Sequence, residues 1–160
     1  MSSNWPKPGI NFTPAYQISG IPFVTSSADD ELTSSGNVVK IEFPFVTSTI
    51  RVECSGSVSG DGTTGTIRFG FSENGVKATE NANYFICASA GGISYASPEL
   101  PIRCKEIFLR YDTFSGGRSA IGFNVSAGLT NIPSGSLDNM TGSIEVDGAK
   151  VLQPIYRGVG

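Results

Sequence analysis

The stretches 66-TIRFGFSENGV-76 and 119-SAIGFNVSAGLTNI-132 decide the fold. In the first, Ile67, Phe69 and Phe71 share one phase, with Arg68, Gly70 and Ser72 between them. In the second, Ile121, Phe123, Val125, Ala127 and Leu129 alternate with Gly122, Asn124, Ser126 and Gly128. Such period-two alternation sends one set to a core face and the other outward. Working outward, Ile21–Thr25 reads as a short strand and 26–37 as a polar loop. Within 38–55 the apolar phase changes: Ile41, Phe43 and Phe45 are odd, Ile50, Val52 and Cys54 even. A strand changes phase only through a bulge or bend. Two strands, 38–43 and 48–55, with a corner near Pro44 and Val46–Ser48, are therefore expected.

Further on, 56–65 is a Gly-rich loop, and Glu73-Asn74-Gly75 reads as a tight turn with Gly75 at positive φ. Residues 83–89 form a strand and 90–99 a loop. Residues 100–110 form a strand with a phase change near Glu106, and 112–118 a turn. The last strand is 142–146, before Asp147-Gly148. The result is all-β, a two-sheet antiparallel sandwich, with an eight-stranded single jelly roll as the best fit. The expected core is Ile41, Phe43, Ile50, Val52, Ile67, Phe69, Phe71, Ile86, Ile102, Leu109, Ile121, Phe123 and Val125.

The chain divides into an N-terminal arm (1–20), a sandwich domain (21–147) and a C-terminal tail (148–160). The arm carries Trp5, Ile10, Phe12 and Tyr16 between Pro6, Pro8 and Pro14. Disordered tails are poor in aromatics, so an arm of this kind docks, on its own domain or on a neighbouring subunit. The tail mixes Ile155 and Tyr156 with Pro154. These six apolar residues are the candidate subunit-interface positions.

Composition narrows the chemistry. At 160 residues with net charge −3, the chain has no basic run to track phosphates, so direct nucleic-acid binding is not expected. No apolar stretch is long enough for a membrane span, and MSSNWPKPG lacks the pattern of a signal peptide. There is no histidine, which excludes Ser-His-Asp and Cys-His catalysis. The carboxylates fall mostly in loops, and nothing in their order places two across a cleft. Neither an enzyme nor a cofactor is therefore expected. The run 29-DDE-31 offers oxygens for calcium but has no EF-hand spacing, and a solvated loop face suits it better. Cys54, Cys87 and Cys104 match no zinc pattern. They read as buried small apolar residues, with one disulfide plus a free thiol as the alternative. Three N-x-S/T sequons, at Asn11, Asn124 and Asn139, are within chance.

The blocks 43-FPFVTSTIRV-52, 68-RFGFSENGV-76, 83-NYF-85, 102-IRCKEIFL-109 and 126-SAGLTNI-132 resemble small single-jelly-roll virion structural proteins of double-stranded DNA viruses and phages. The likeness covers about 90 residues, in order along the chain. It implies a non-enzymatic capsid subunit of vertex (penton), minor capsid or decoration type. Such a subunit is made in the host cytoplasm, ends in the virion, and has copies of itself and other capsid proteins as partners. The alternative is a receptor- or glycan-binding sandwich of a spike or tail, with loop aromatics such as Tyr95 and Phe114 stacking on sugars.

Overall fold

The computed structural model describes residues 21–33, 36–55, 64–77, 83–90, 93–94, 96–114, 120–137, 141–146 and 149–154. In chain order the elements are β1 (Ile21–Thr33), β2 (Val38–Glu42), β3 (Phe45–Ser55), β4 (Thr64–Gly70), the one-turn helix α1 (Glu73–Lys77), β5 (Phe85–Ala90), β6 (Ile93–Ser94), β7 (Glu106–Phe114), β8 (Ala120–Pro133), a 3-10 turn (Ser134–Ser136), β9 (Thr141–Val146) and β10 (Ala149–Pro154). One sheet has the order β1-β8-β3, and the other β2-β7-β4-β5-β6. Residues 96–104 run along the free side of β3, through bridges Glu53↔Ala96 and Ile50↔Leu100. Counting that segment with β6 as the sixth strand, the pairs are 1:8, 2:7, 3:6 and 4:5. This nesting is what results when one long antiparallel hairpin is wrapped on itself, and it is the order of a single jelly roll.

The two sheets meet in one core. Ile41, Ile67, Phe69, Cys87, Ile107 and Leu109 come from the five-stranded sheet. Leu32, Ile50, Val52, Cys54, Ile121, Phe123, Val125 and Leu129 come from the other. Full burial of each such aliphatic or aromatic side chain stabilises by roughly 1.5–3 kcal/mol. The expected corner exists: β2 stops at Glu42, Pro44 bends the chain, and the β3–β8 register slips between Phe45, Thr47 and Thr49. Val46 and Thr47, which are adjacent, are both buried there. The slip is therefore how one strand satisfies two phases.

Several expectations need correction. β1 does not end at Thr25: it continues to Thr33, crosses a bulge between Ser27 and Leu32, and buries Leu32 completely. A polar run can continue a strand when its partner, here β8, supplies the ladder. Residues 73–77 form a helical turn, not a tight β-turn. Ser72 caps it, its Oγ accepting from the Gly75 N–H at 3.0 Å. Among the described glycines only Gly36 has positive φ, so the conformational argument for Gly75 falls. The capping hydroxyl, not the Asn-Gly pair, dictates the local geometry.

Ile86 is 58% exposed, and Cys87 takes the core position opposite Ile67. Tyr84-Phe85-Ile86 is a continuous apolar run without a readable phase. Phe71 and Ile102 pack against the core but are only partly buried. Residues 101–105 are not strand, and β7 runs on through Phe114 into the expected turn. Ala149–Pro154, expected as tail, pairs with β9 from Ala149↔Val146 to Pro154↔Thr141. The two-residue Asp147-Gly148 connection is a hairpin signal that the sequence reading did not use.

Candidate functional site

The outward face of the five-stranded sheet is built from the polar phase of β4 and β7. The Arg68 Nε donates to Asp112 Oδ1 at 2.6 Å, and the Thr66 hydroxyl donates to Asp112 Oδ2 at 3.0 Å. The Arg68 guanidinium lies 4.4 Å from the Tyr84 ring centre. Arg110 stands directly across from Arg68 and reaches away from it, donating to the Lys77 carbonyl at the end of α1 at 2.8 Å. A cation there meets the carbonyls left open by the last helical turn. Beside them Lys40 bridges Glu42 (2.6 Å) and Glu106 (2.9 Å). Glu42 and Glu106 raise the Lys40 pKa, and Lys40 lowers that of Glu42. Arg68 and Lys40 are thus paired with carboxylates, whereas Arg110 is held by the carbonyls of the helical turn, with its Nε buried and without a hydrogen-bond partner.

α1 lies over this same face. A Cβ on Gly70 would sit 2.9 Å from the Asn83 carbonyl oxygen and 3.1 Å from Val76 Cγ1. Only glycine allows that approach, which brings the chain back at Asn83 to begin β5.

The outward face of the other sheet carries a shallow depression of about 480 Å³, floored by small residues of β8 (Ser126, Ala127, Gly128) and walled by Pro22, Val24, Arg51 and Glu99. Arg51 pairs with Glu53 at 3.1 Å. The depression is open and mixed in character, apolar and polar lining in equal measure, and Val24 stands out from it at 74% exposure.

The third feature lies where the two sheets part. Between β5 and residues 96–100 runs an apolar groove of about 250 Å³, lined by Phe69, Phe85, Ile86, Cys87, Pro98 and Leu100 among others. Phe85 stacks on Phe69 with ring centres 5.1 Å apart, yet stays 45% exposed. On one side β5 is fully paired to β4. On the other, Ser89 and Ala90 pair with Ser94 and Ile93 of β6. No charged residue occurs between Glu80 and Glu99. β5 itself carries neither a charge nor a proline.

The opposite wall of the groove is guarded. Pro98 and Pro101 interrupt the 96–104 ribbon, and proline belongs on sheet edges because it offers no N–H. Thr47, fully buried, fixes this ribbon: its hydroxyl donates to the Ile102 carbonyl at 2.7 Å and accepts from the Cys104 N–H at 2.9 Å.

The three cysteines are free and buried. Burial pushes the Cys104 thiol up to about 11 and raises that of Cys87. They are inert core thiols, as the first of the two readings expected. Among the described residues no three of His, Cys, Asp and Glu gather to hold a metal ion. No helix among them is long and apolar enough to cross a membrane.

The six interface candidates, Trp5, Ile10, Phe12, Tyr16, Ile155 and Tyr156, lie outside the described residues, as does Tyr95. The groove itself was not anticipated; the uncharged run across 81–98 was the signal for it. No protein-family model, curated protein or solved structure matches this chain.

Proposed function

We propose that this chain is a virion structural protein, a non-enzymatic capsid subunit of vertex, minor capsid or decoration type. It works by burying surface against copies of itself and other shell proteins. The observation that carries this reading is the uncharged apolar surface of β5, with Phe85 and Ile86 half exposed. Exposed apolar side chains gathered beside an apolar groove mark a contact with another protein. A jelly roll by itself serves many functions, so that surface and the apolar arm carry the weight. Closed rings need two different surfaces on each copy, and the apolar arm and the groove are two candidates.

The test is the native mass and shape of the full chain, by light scattering and negative-stain microscopy, beside a chain lacking residues 1–18. A ring or shell from the full chain, and a folded monomer from the deletion, support the reading. A full chain that stays monomeric overturns it. A second reading, a receptor- or glycan-binding module, is favoured by the open depression that sets Arg51, Glu99 and Ser126 beside apolar lining. A monomer that binds a glycan array would establish it.

A further inference from the structure

Asn74 is the only asparagine of the chain that is followed by glycine. It stands exposed in α1, and Gly75 beside it is buried. An asparagine in this position can lose its side-chain amide with no reagent but water, because glycine has no Cβ to obstruct its own nitrogen. The Gly75 nitrogen gives up its proton to hydroxide and bonds to the Asn74 Cγ, and the side-chain nitrogen leaves as ammonia. Water then opens the cyclic imide on one side or the other. The product is aspartate or isoaspartate at position 74.

Two features of the fold oppose that reaction. A helical ψ of about −42° turns the following nitrogen away from the side-chain carbonyl. The imide, with Cβ, Cγ and that nitrogen in one ring, needs a ψ far from this value. The attacking atom is also engaged, since the Gly75 N–H donates to Ser72 Oγ at 3.0 Å. The Ser72 carbonyl accepts from the Val76 N–H at 3.4 Å. One fully buried residue therefore holds both amides that follow Asn74. A helix of one turn does not persist in water by its own hydrogen bonds, so its anchor decides whether it stays closed.

We propose that Asn74-Gly75 is a deamidation site and that Ser72 is the latch that keeps it shut in the folded chain. The inference goes beyond the assembly reading and needs no second copy. Conversion has a structural consequence. The Gly75 carbonyl accepts from the Asn83 N–H at 3.3 Å, where the chain returns towards β5. The Val76 and Lys77 carbonyls accept from Arg110 Nη1 at 3.5 Å and 2.8 Å. Isoaspartate adds a methylene to the main chain between Ser72 and all three carbonyls. The turn then cannot present them together, and Arg110 loosens.

The experiment incubates the full chain in mildly alkaline buffer, folded and in urea. Mass spectrometry of the peptide containing Asn74 reads the mass gain of an amide turned into an acid. Conversion should be about tenfold or more slower in the folded chain. The ratio of the two rates should match the protection of the Gly75 amide against hydrogen exchange. Ser72→Ala should bring the folded rate towards the rate in urea, with circular dichroism unchanged. Asn83, Asn124 and Asn131, each followed by a bulky residue, should stay unconverted. Asn74→Gln should abolish the signal. Asp61-Gly62 and Asp147-Gly148 can close the same ring, but they lose water rather than ammonia and return without a mass gain.

A folded chain that converts as fast as the unfolded one would overturn the proposal, and so would a chain that converts in neither state. A folded Ser72→Ala variant no faster than wild type would assign the protection elsewhere and overturn it as well. Should Ser72→Ala fail to fold, the wild-type comparison decides. A folded-to-urea ratio that disagrees with the protection of the Gly75 amide means that the latch does not gate the reaction.

Discussion

Two strand edges flank the same groove and are treated in opposite ways. Residues 96–104 are broken by Pro98 and Pro101 and held to β3 by the buried Thr47 hydroxyl. β5, across the groove, has no proline, no charge and a half-exposed Phe-Ile pair. Both belong to the same core, so the difference is not one of stability. The contrast teaches that proline and a buried hydroxyl set one wall of the groove, whereas uncharged apolar side chains set the other.

The largest effect should come from the shared floor of the two edges. Phe69 is fully buried and Phe123 nearly so. Each truncation to alanine should cost about 3–5 kcal/mol, read as the shift in a urea or guanidinium unfolding curve. If Phe69→Ala cost far less than Phe123→Ala, β5 would not be part of the common core and the comparison would break.

Next, Thr47→Val removes the brace of the guarded edge while keeping its volume. The buried Cys104 N–H loses its acceptor, and about 1–3 kcal/mol should go with it. Chemical denaturation measures the loss. Faster amide exchange along 100–104, with β5 unchanged, would show that the two edges open independently.

The thiols sharpen the same contrast by pH. Cys104 titrates near 9.0 in ordinary surroundings and at about 11 in the fold. Between those values the folded chain keeps a proton that the unfolded chain has released, so stability falls as pH rises. Below 9.0 the contribution is fully present. Unfolding curves across pH 8 to 11 should show this decline, and Cys104→Ala should flatten it. A thiol reagent at neutral pH should label none of the three cysteines until the chain is unfolded.

The smallest effect should be Ile86→Thr. The side chain is 58% exposed, so the folding free energy should move by no more than about 0.5 kcal/mol. A loss comparable to that of a core residue would mean that Ile86 is covered within the monomer, and the contrast between the two walls of the groove would disappear.

Much of the sandwich was legible because alternation is a local signal. Ile67, Phe69, Ile121, Phe123 and Val125 took the core face that their spacing indicated. The phase change at Pro44–Ser48 correctly marked a corner. Where alternation was missing, the reading failed. The polar end of β1 is a strand only because β8 pairs with it. Tyr84-Phe85-Ile86 had no phase of its own, so only the register with Arg68 and Ile67 turns Ile86 out and Cys87 in. Asn74-Gly75 promised a β-turn, but the Ser72 hydroxyl drew the chain into a helical turn.

By itself, then, the sequence determined the class of fold, most of the core and the corner in the long β-run, since side-chain period and proline act over a few residues. The tertiary structure alone decided the nested 1:8, 2:7, 3:6 and 4:5 pairing, the placement of two prolines along one edge, and the apolar groove beside the other. Those depend on residues far apart in the chain being brought together, as with Thr47 and Cys104 or Phe69 and Leu100, and no local pattern records such meetings.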